Sequence, residues 1–165
     1  MTRIQDFPCK EELLAFLSLA FYSYMRSNEV INLQVEDFHE VSENFFKFTI
    51  KSSKTDQLGK GNPIVIPFVD TLYSPFRHFV PYFLQIFPKT YCSYNKKIKQ
   101  MVSQIGLNPC EYASQSICHS AANTTVIKEA PLYAIKEMGR WKSECYTRYT
   151  DLNIEQAAKI VVPMI

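Results

Sequence analysis

Segment 10–25 is the part of this chain that most restricts its fold. Its apolar residues recur at helical spacing, and further apolar residues widen the stripe beyond one face. The stripe comprises Leu13, Leu17, Phe21 and Tyr24, and the widening residues are Leu14, Phe16 and Leu19. A helix that is apolar over most of its circumference has to be covered on several sides. We therefore predict a helix over 10–25 that is buried on most of its surface.

Composition narrows the class of protein. A chain of 165 residues with 47% hydrophobic content predicts one domain over 1–165. A net charge of +2 gives no global polycation, so nucleic-acid binding would depend on local basic patches. Five scattered cysteines without a C-x-x-C pair predict reduced thiols in an intracellular protein, with no zinc site or disulfide framework. No apolar run reaches the roughly 20 residues of a membrane span, and the N-terminus does not resemble a signal peptide.

The rest of the chain predicts a small antiparallel hairpin among helices. Phe46, Phe48 and Ile50 alternate with polar residues and indicate a strand, and 63–67 indicates a second strand after a polar, glycine-bearing loop at 52–61. The predicted helices cover about 29–34, 76–87, 94–105, 114–129, 132–138, 143–149 and 153–161. Arg26-Ser27-Asn28 should supply the cap of the 29–34 helix. The predicted fold class is α+β, mainly α.

Segment 131–149 predicts two short helices joined by a basic turn. Pro131 opens the first helix and Gly139 ends it. The residues expected to face a core from this helix are Leu132, Ile135 and Met138. The second helix begins near Ser143 and carries Tyr146 and Tyr149 on one face. On its own, this pair of phenols is better explained by core packing, and the functional interpretation depends on the other motifs of the chain.

Four segments of the chain carry recognisable motifs in a fixed order. They are Tyr24–Leu33 followed by Glu36-Asp37, Lys51–Gly61, Tyr112–Thr124 and Gly139–Tyr149. Together they resemble the motifs of tyrosine recombinases (phage-integrase-like enzymes), and are most similar to those of DIRS-like and crypton-like mobile elements. The resemblance runs from about Ala15 to Asp151 and implies a tyrosine-recombinase catalytic-domain fold. From the resemblance we expect that these 165 residues correspond to the catalytic domain and not to the separate N-terminal DNA-clamping domain of such enzymes.

The resemblance implies DNA strand cleavage and rejoining through a 3′-phosphotyrosyl intermediate, without a metal or other cofactor. Tyr149 corresponds to the nucleophile. Arg26 corresponds to the first phosphate-clamping arginine, and Lys54 to the hairpin lysine that protonates the leaving oxygen. Trp141 falls on the late His/Trp position, which Arg140 occupies if the register shifts by one.

The implied partner is double-stranded DNA, and the implied compartment is the nucleus if the host is eukaryotic. The lysines expected to contact DNA are Lys96, Lys97, Lys99 and Lys142. Without the resemblance, the first three would be interpreted as a solvated helix face. Other residues also have purely structural interpretations. Arg26 is spaced to pair with Glu29, Trp141 suits the packing of a turn, and Cys118 suits a small buried position.

Two positions depart from the family pattern, because its H-x-x-R pair falls on Gln115 and Cys118. Gln115 can donate a hydrogen bond but cannot shuttle a proton, and Cys118 has no cationic form. His119 lies about 100° further around the helix and is a poor substitute. Removing one preorganised donor typically costs ~10²–10³ in rate. We therefore predict an impaired recombinase or integrase domain of mobile-element origin, with a catalytically dead DNA- or protein-binding module as the alternative.

Residues 152–165 predict a C-terminal tail helix with an apolar stripe. The stripe comprises Ile154, Ala157, Ala158, Val161 and Val162. Such a stripe either folds back onto its own domain or docks on a neighbouring protomer. The resemblance implies exchange between protomers on DNA, and therefore a homo-oligomer formed through the tail. Both possibilities are open at this point.

Overall fold

The computed structural model describes residues 10–42, 44–51, 61–67 and 90–141. Its helices are α1 (Lys10–Tyr22), α2 (Ser27–Ile31), α3 (Tyr91–Gln104), α4 (Gln115–Ile127) and α5 (Leu132–Met138), with short 3₁₀ turns at Val35–Asp37 and Pro109–Glu111. Its strands are β1 (Phe38–Val41), β2 (Phe45–Ile50) and β3 (Asn62–Pro67). This confirms the mainly helical α+β class. The predicted helices 76–87, 143–149 and 153–161, and the loop at 52–60, lie outside the described residues.

The three strands form one antiparallel sheet in the order β1-β2-β3. In the predicted hairpin of β2 and β3, Phe48 lies opposite Ile64. Strand β1 was not predicted, because four residues are too few to show a period of two. It pairs with β2 through Phe38, opposite Phe48, and the register shifts between Phe38 and Glu40. The rings of Phe38 and Phe48 lie 5.3 Å apart, so β1 depends on its neighbour rather than on its own pattern.

The larger apolar cluster, here called the main core, joins α1, α2, the sheet and α3. Its buried members are Leu13, Ala15, Phe16, Leu19, Ala20, Met25, Val30, Leu33, Phe46, Phe48, Ile50, Ile66, Tyr94, Ile98 and Val102. Phe16 of α1 stacks on Tyr94 of α3 with ring centroids 4.2 Å apart. Residues from several sides of α1 are buried, which confirms part of the prediction for this helix. Leu14, Leu17 and Phe21 of the predicted apolar set are only half-buried and border a groove. No helix in the described ranges is long and apolar enough to cross a membrane.

A smaller apolar cluster, here called the second cluster, joins the end of α1 to α4 and α5. Its members are Tyr24, Cys118, Ala121, Ala122, Val126, Ile135 and Trp141. Here the prediction for α5 was partly wrong, because Leu132 is 52% exposed and Met138 is 48% exposed, while Ile135 is buried. Three residues advance a helix by about 300°, so Leu132 and Met138 lie about 60° to either side of Ile135. On so short a helix only the middle residue faces the cluster.

Four of the described helices end in the same hydrogen-bonded turn around a left-handed residue. In α1 the N–H of Tyr24 bonds to the carbonyl of Phe21, and the N–H of Met25 bonds to the carbonyl of Ala20. The left-handed residues are Tyr24, Gly106, Glu129 and Arg140. Three of the four are not glycine. For this reason α1 ends at Tyr22 rather than near residue 25, at a place that sequence composition does not mark.

Gly139 ends α5, but in a different way from the one predicted. It keeps a right-handed backbone with φ of −77°, and the left-handed residue is Arg140 with φ of +55°. A Cβ on Gly139 would overlap the ring of Trp141. Glycine is therefore required here because Trp141 folds back against the helix end.

Candidate functional site

The candidate site is built around Glu29, a carboxylate that is only 5% exposed. Arg26 occupies the N-cap of α2, so the helix begins at Ser27, earlier than predicted. Oε2 of Glu29 accepts a hydrogen bond from the backbone N–H of Arg26 at 2.8 Å, and Oε1 pairs with Nη1 of Arg26 at 2.9 Å. Ser27, an expected cap residue, is buried at the first helical position, and its hydroxyl has no hydrogen-bond partner among the described residues.

Arg140 reaches the same carboxylate from the turn after α5. Its Nη2 donates to Oε2 of Glu29 at 2.8 Å and to the carbonyl of Tyr24 at 3.2 Å. Its Nη1 donates to the carbonyls of Ser23 and Met138 at 3.1 and 3.2 Å. Burial lowers the pKa of Arg140 while the charge of Glu29 opposes that change, and a guanidinium stays protonated throughout the physiological range.

Cys118 lies on α4 beside these groups and behaves as a neutral thiol. Its Sγ donates to the carbonyl of Tyr24 at 3.3 Å. Burial raises the pKa of the Cys118 thiol to about 11, although the nearby charges of Arg26 and Arg140 act to lower it. The thiol therefore carries no charge near pH 7. It also shares its acceptor with Arg140, which brings positions 26, 118 and 140 to one side of the domain.

Tyr24 connects these polar groups to the second cluster. It has a left-handed backbone with φ of +54°, which is unfavourable for a bulky side chain. Its hydroxyl hydrogen-bonds to Oγ1 of Thr125 on α4. Its ring meets Trp141 edge-on with centroids 6.4 Å apart. Burial raises the pKa of Tyr24 as well. The contacts with Thr125 and Trp141 hold this strained turn, which lies two residues before Arg26.

Comparison with known structures identifies the architecture. A crystal structure of the XerH site-specific recombinase bound to palindromic difH substrate, a post-cleavage complex, superposes with a TM-score of 0.72 at 15% identity, over 94% of this chain and 47% of that chain. The pre-cleavage complex of XerH with difH substrate gives 0.71 at 14% identity, over 94% and 48%. This chain has the fold of a tyrosine-recombinase catalytic domain. It spans about half the length of these recombinases. No protein-family model matches the sequence, and no curated protein shows significant similarity to it.

Within this fold, four of the predicted site residues come together around Tyr24 and Glu29. They are Arg26, Cys118, Arg140 and Trp141. The two residues that the sequence offered for the late His/Trp position differ sharply. The Arg140 guanidinium lies in the charged group, whereas the Trp141 ring is 6% exposed and packs in the second cluster. Lys54, Lys142 and Tyr149 lie outside the described residues.

The remaining predicted residues lie on α3 and α4. Gln115 is the exposed first residue of α4, one turn before Cys118, and His119 is exposed whereas Cys118 is buried. On α3, Lys97 pairs with Oε2 of Glu12 at 3.2 Å. Its neighbours Lys96 and Lys99 line a separate groove of about 470 Å³. The other residues of this groove include Tyr91, Asn95, Gln100 and Ser103.

Glu29 is the site residue that sequence analysis did not include among the candidates. It was considered only as a pairing partner for Arg26. The R-x-x-E spacing was the available signal, because a glutamate three residues after a helix N-cap returns to the cap's backbone N–H. Its second partner, Arg140, is 111 residues away in sequence, and no local pattern indicates that contact. No group of three or more acidic, histidine or cysteine side chains in the described residues could hold a metal ion.

Proposed function

We propose that this chain is a DNA-binding domain of the tyrosine-recombinase type in which strand cleavage is impaired. The observation that carries this proposal is the placement of Arg26 on the recombinase fold. Its side chain is 32% exposed, and within the described residues its guanidinium pairs with Glu29 through Nη1. Other N–H groups of the same fork remain for the oxygens of a DNA phosphate. Tyr149 and Lys54 are proposed as nucleophile and general acid.

Impairment is supported by the state of Cys118. A buried neutral thiol that donates to a backbone carbonyl cannot supply the cation that a phosphorane requires. Gln115, one turn earlier, cannot transfer a proton. The same observations support the second candidate, a catalytically dead module that retains DNA binding. The two candidates differ in a single measurable quantity, the yield of covalent phosphotyrosyl adduct.

Lys96 and Lys99 are proposed to contact the DNA backbone. They share a groove with amide and hydroxyl side chains that also suit phosphate oxygens. Lys97 is a weaker candidate, because it pairs with Glu12 and lies 5.7 Å from the ring centroid of Tyr94. Lys142 remains a proposed contact through its place beside Trp141 in the sequence. Origin in a mobile element and a nuclear location are proposals that rest on the resemblance.

The tail is proposed to assemble protomers on DNA. An apolar groove of about 520 Å³ between α1, α3 and α4 supports this proposal, because it suits the apolar stripe of 152–165. The groove is lined by residues that include Leu14, Leu17, Met101 and Ile117. Deleting 152–165 should abolish a DNA-dependent oligomer and leave monomer binding unchanged in sedimentation. Identical assembly states for both chains would exclude docking of the tail on a second copy.

The decisive experiment uses a nicked suicide duplex and the full chain. We expect binding to the duplex at low ionic strength, with little covalent adduct. The double variant Gln115→His with Cys118→Arg should raise the adduct yield, and Tyr149→Phe added to that background should abolish the adduct. A wild-type yield equal to that of the double variant would contradict impairment. Absence of duplex binding at low salt would reject the DNA-binding function itself.

A further inference from the structure

Arg140 is tied into the protein in a way that prevents it from acting as a phosphate clamp. A guanidinium has five N–H groups. Its four described hydrogen bonds from Nη1 and Nη2 go to Glu29 and to three backbone carbonyls. The fifth group, Nε–H, is buried without a hydrogen-bond partner in the described residues. A bidentate fork on a phosphate would require breaking several of these bonds in a side chain that is 8% exposed.

We propose that Arg140 is a positioning residue that aims the guanidinium of Arg26 at a DNA phosphate by fixing Glu29. This inference rests on the proposed function above. Arg140 holds Oε2 of Glu29 at 2.8 Å, and the other carboxylate oxygen holds Nη1 of Arg26 at 2.9 Å. A carboxylate pinned at one oxygen by a buried cation presents its second oxygen in one direction. The partly exposed guanidinium of Arg26 is thereby ordered before DNA arrives, which reduces the entropy lost on binding.

Arg140 also fixes the backbone that carries Arg26. It binds the carbonyls of Ser23 and Tyr24, and Arg26 follows that turn by two residues. The turn contains the left-handed Tyr24, so it needs external contacts to persist. Arg140 therefore acts on both ends of Arg26, its backbone and its guanidinium.

Cys118 is compatible with this arrangement because it is neutral and, among the described residues, makes only one hydrogen bond near Arg140. Its Sγ and Nη2 of Arg140 share the carbonyl of Tyr24. The chain thus has no cationic side chain at position 118, and the guanidinium of Arg140 is a cation that lies beside Cys118 and Glu29.

The test measures duplex binding of the full chain by fluorescence anisotropy over a range of salt concentrations. The variants are Arg26→Ala, Arg140→Gln, the two combined, and Lys128→Gln as a control that removes an exposed charge outside the site. Loss of one phosphate contact lowers the slope of log K against log salt by about one. We expect Arg26→Ala and Arg140→Gln each to produce this loss. The double variant should bind within about two-fold of either single variant, and the control should keep the wild-type slope.

Folding is checked by circular dichroism at the temperature of the titration. A folded Arg140→Gln chain with the wild-type salt slope would overturn the inference, as would independent, multiplying losses in the double variant. If Arg140→Gln does not fold, Glu29→Gln cuts the same link from the other partner and should give the same slope. If Arg26→Ala leaves the slope unchanged, the proposed phosphate contact fails. The positioning role is then decided by ¹⁵N relaxation at Arg26 Nε, which should be rigid in wild type and mobile in Arg140→Gln.

Discussion

The main core and the second cluster differ in the size of their side chains and in the charge beside them. The main core combines large side chains such as Phe16, Phe48 and Tyr94, which are essentially inaccessible to solvent. In the second cluster, α4 contributes mostly small residues, among them Cys118, Ala121 and Ala122. Few side chains of this cluster are large. The main core is built mostly from apolar side chains. The second cluster borders a buried pair of charges, Glu29 and Arg140.

The two clusters therefore have different roles, one in the stability of the domain and the other in the geometry of the candidate site. Burial of large apolar groups supplies most of the free energy of folding. A buried ion pair contributes little net stability, because desolvation offsets the attraction between its charges, but removing one partner is costly. The main core therefore holds the domain together. The second cluster holds the strained turn at Tyr24 and brings Arg26, Cys118 and Arg140 to one place. Three predictions test this division, in order of decreasing effect.

Truncation in the main core should give the largest loss of stability. Phe48→Ala removes a fully buried ring at the centre of the sheet and should lower the free energy of unfolding by about 3–5 kcal/mol. The matched control is Val65→Ala on β3, a side chain that is 56% exposed, which should change stability by about 0.5 kcal/mol or less. Urea denaturation measures both. A loss below about 1 kcal/mol for Phe48→Ala would show that the main core does not dominate stability.

The second cluster should make the free energy of unfolding depend on alkaline pH. Burial raises the pKa of the Cys118 thiol from its ordinary value of 9.0 to about 11. Below pH 9 both states keep this proton. Between these values the unfolded chain loses it first, so the free energy of unfolding falls as pH rises. The part of this fall that Cys118 causes should reach about 2 kcal/mol by pH 10.5 and approach about 2.7 kcal/mol only above pH 11, since one pKa unit corresponds to about 1.36 kcal/mol.

Denaturation in the presence of reductant at pH 8 to 10.5 measures this effect. Cys118→Ala should fall less steeply than wild type, because the buried proton is gone. Cys110→Ser alters an exposed thiol and should follow the wild-type curve. Parallel curves for wild type and Cys118→Ala would mean that the thiol is not held in the neutral state that the site geometry implies.

The smallest effect concerns a helix end at the border of the second cluster. Glu129 ends α4 in the left-handed region with φ of +60°. Glycine adopts this conformation without steric cost, so Glu129→Gly should raise the free energy of unfolding by roughly 0.5 kcal/mol, after allowance for the greater entropy of the unfolded chain. Glu129→Ala removes the same carboxylate but retains the strain, and it should not be stabilising. Thermal unfolding compares the two, and equal midpoints would argue against strain at this position.

Periodicity predicted the elements whose burial follows from local pattern. The sequence predicted that most of α1 is covered, because its apolar residues extend beyond one face, and it predicted the alternation of β2, because one face of that strand meets the main core. Strand β1 was missed, since four residues acquire strand geometry only by pairing with β2. The exposure of Leu132 and Met138 was also missed, because a pattern of apolar residues does not state how wide the contact with a neighbour will be.

The sequence by itself determined the fold class, the recombinase-like order of motifs and the absence of a cation at position 118. Tertiary structure alone decided that Arg140 and Arg26 share Glu29, and that Trp141 packs against Tyr24 rather than in the charged group. It also decided that Lys97 is paired with Glu12 while Lys96 and Lys99 share a groove. The physical reason is separation along the chain. Local sequence patterns predict hydrogen bonds and burial within a few helical turns. A buried charge needs a partner, and that partner can lie on a distant segment that only the tertiary fold brings close.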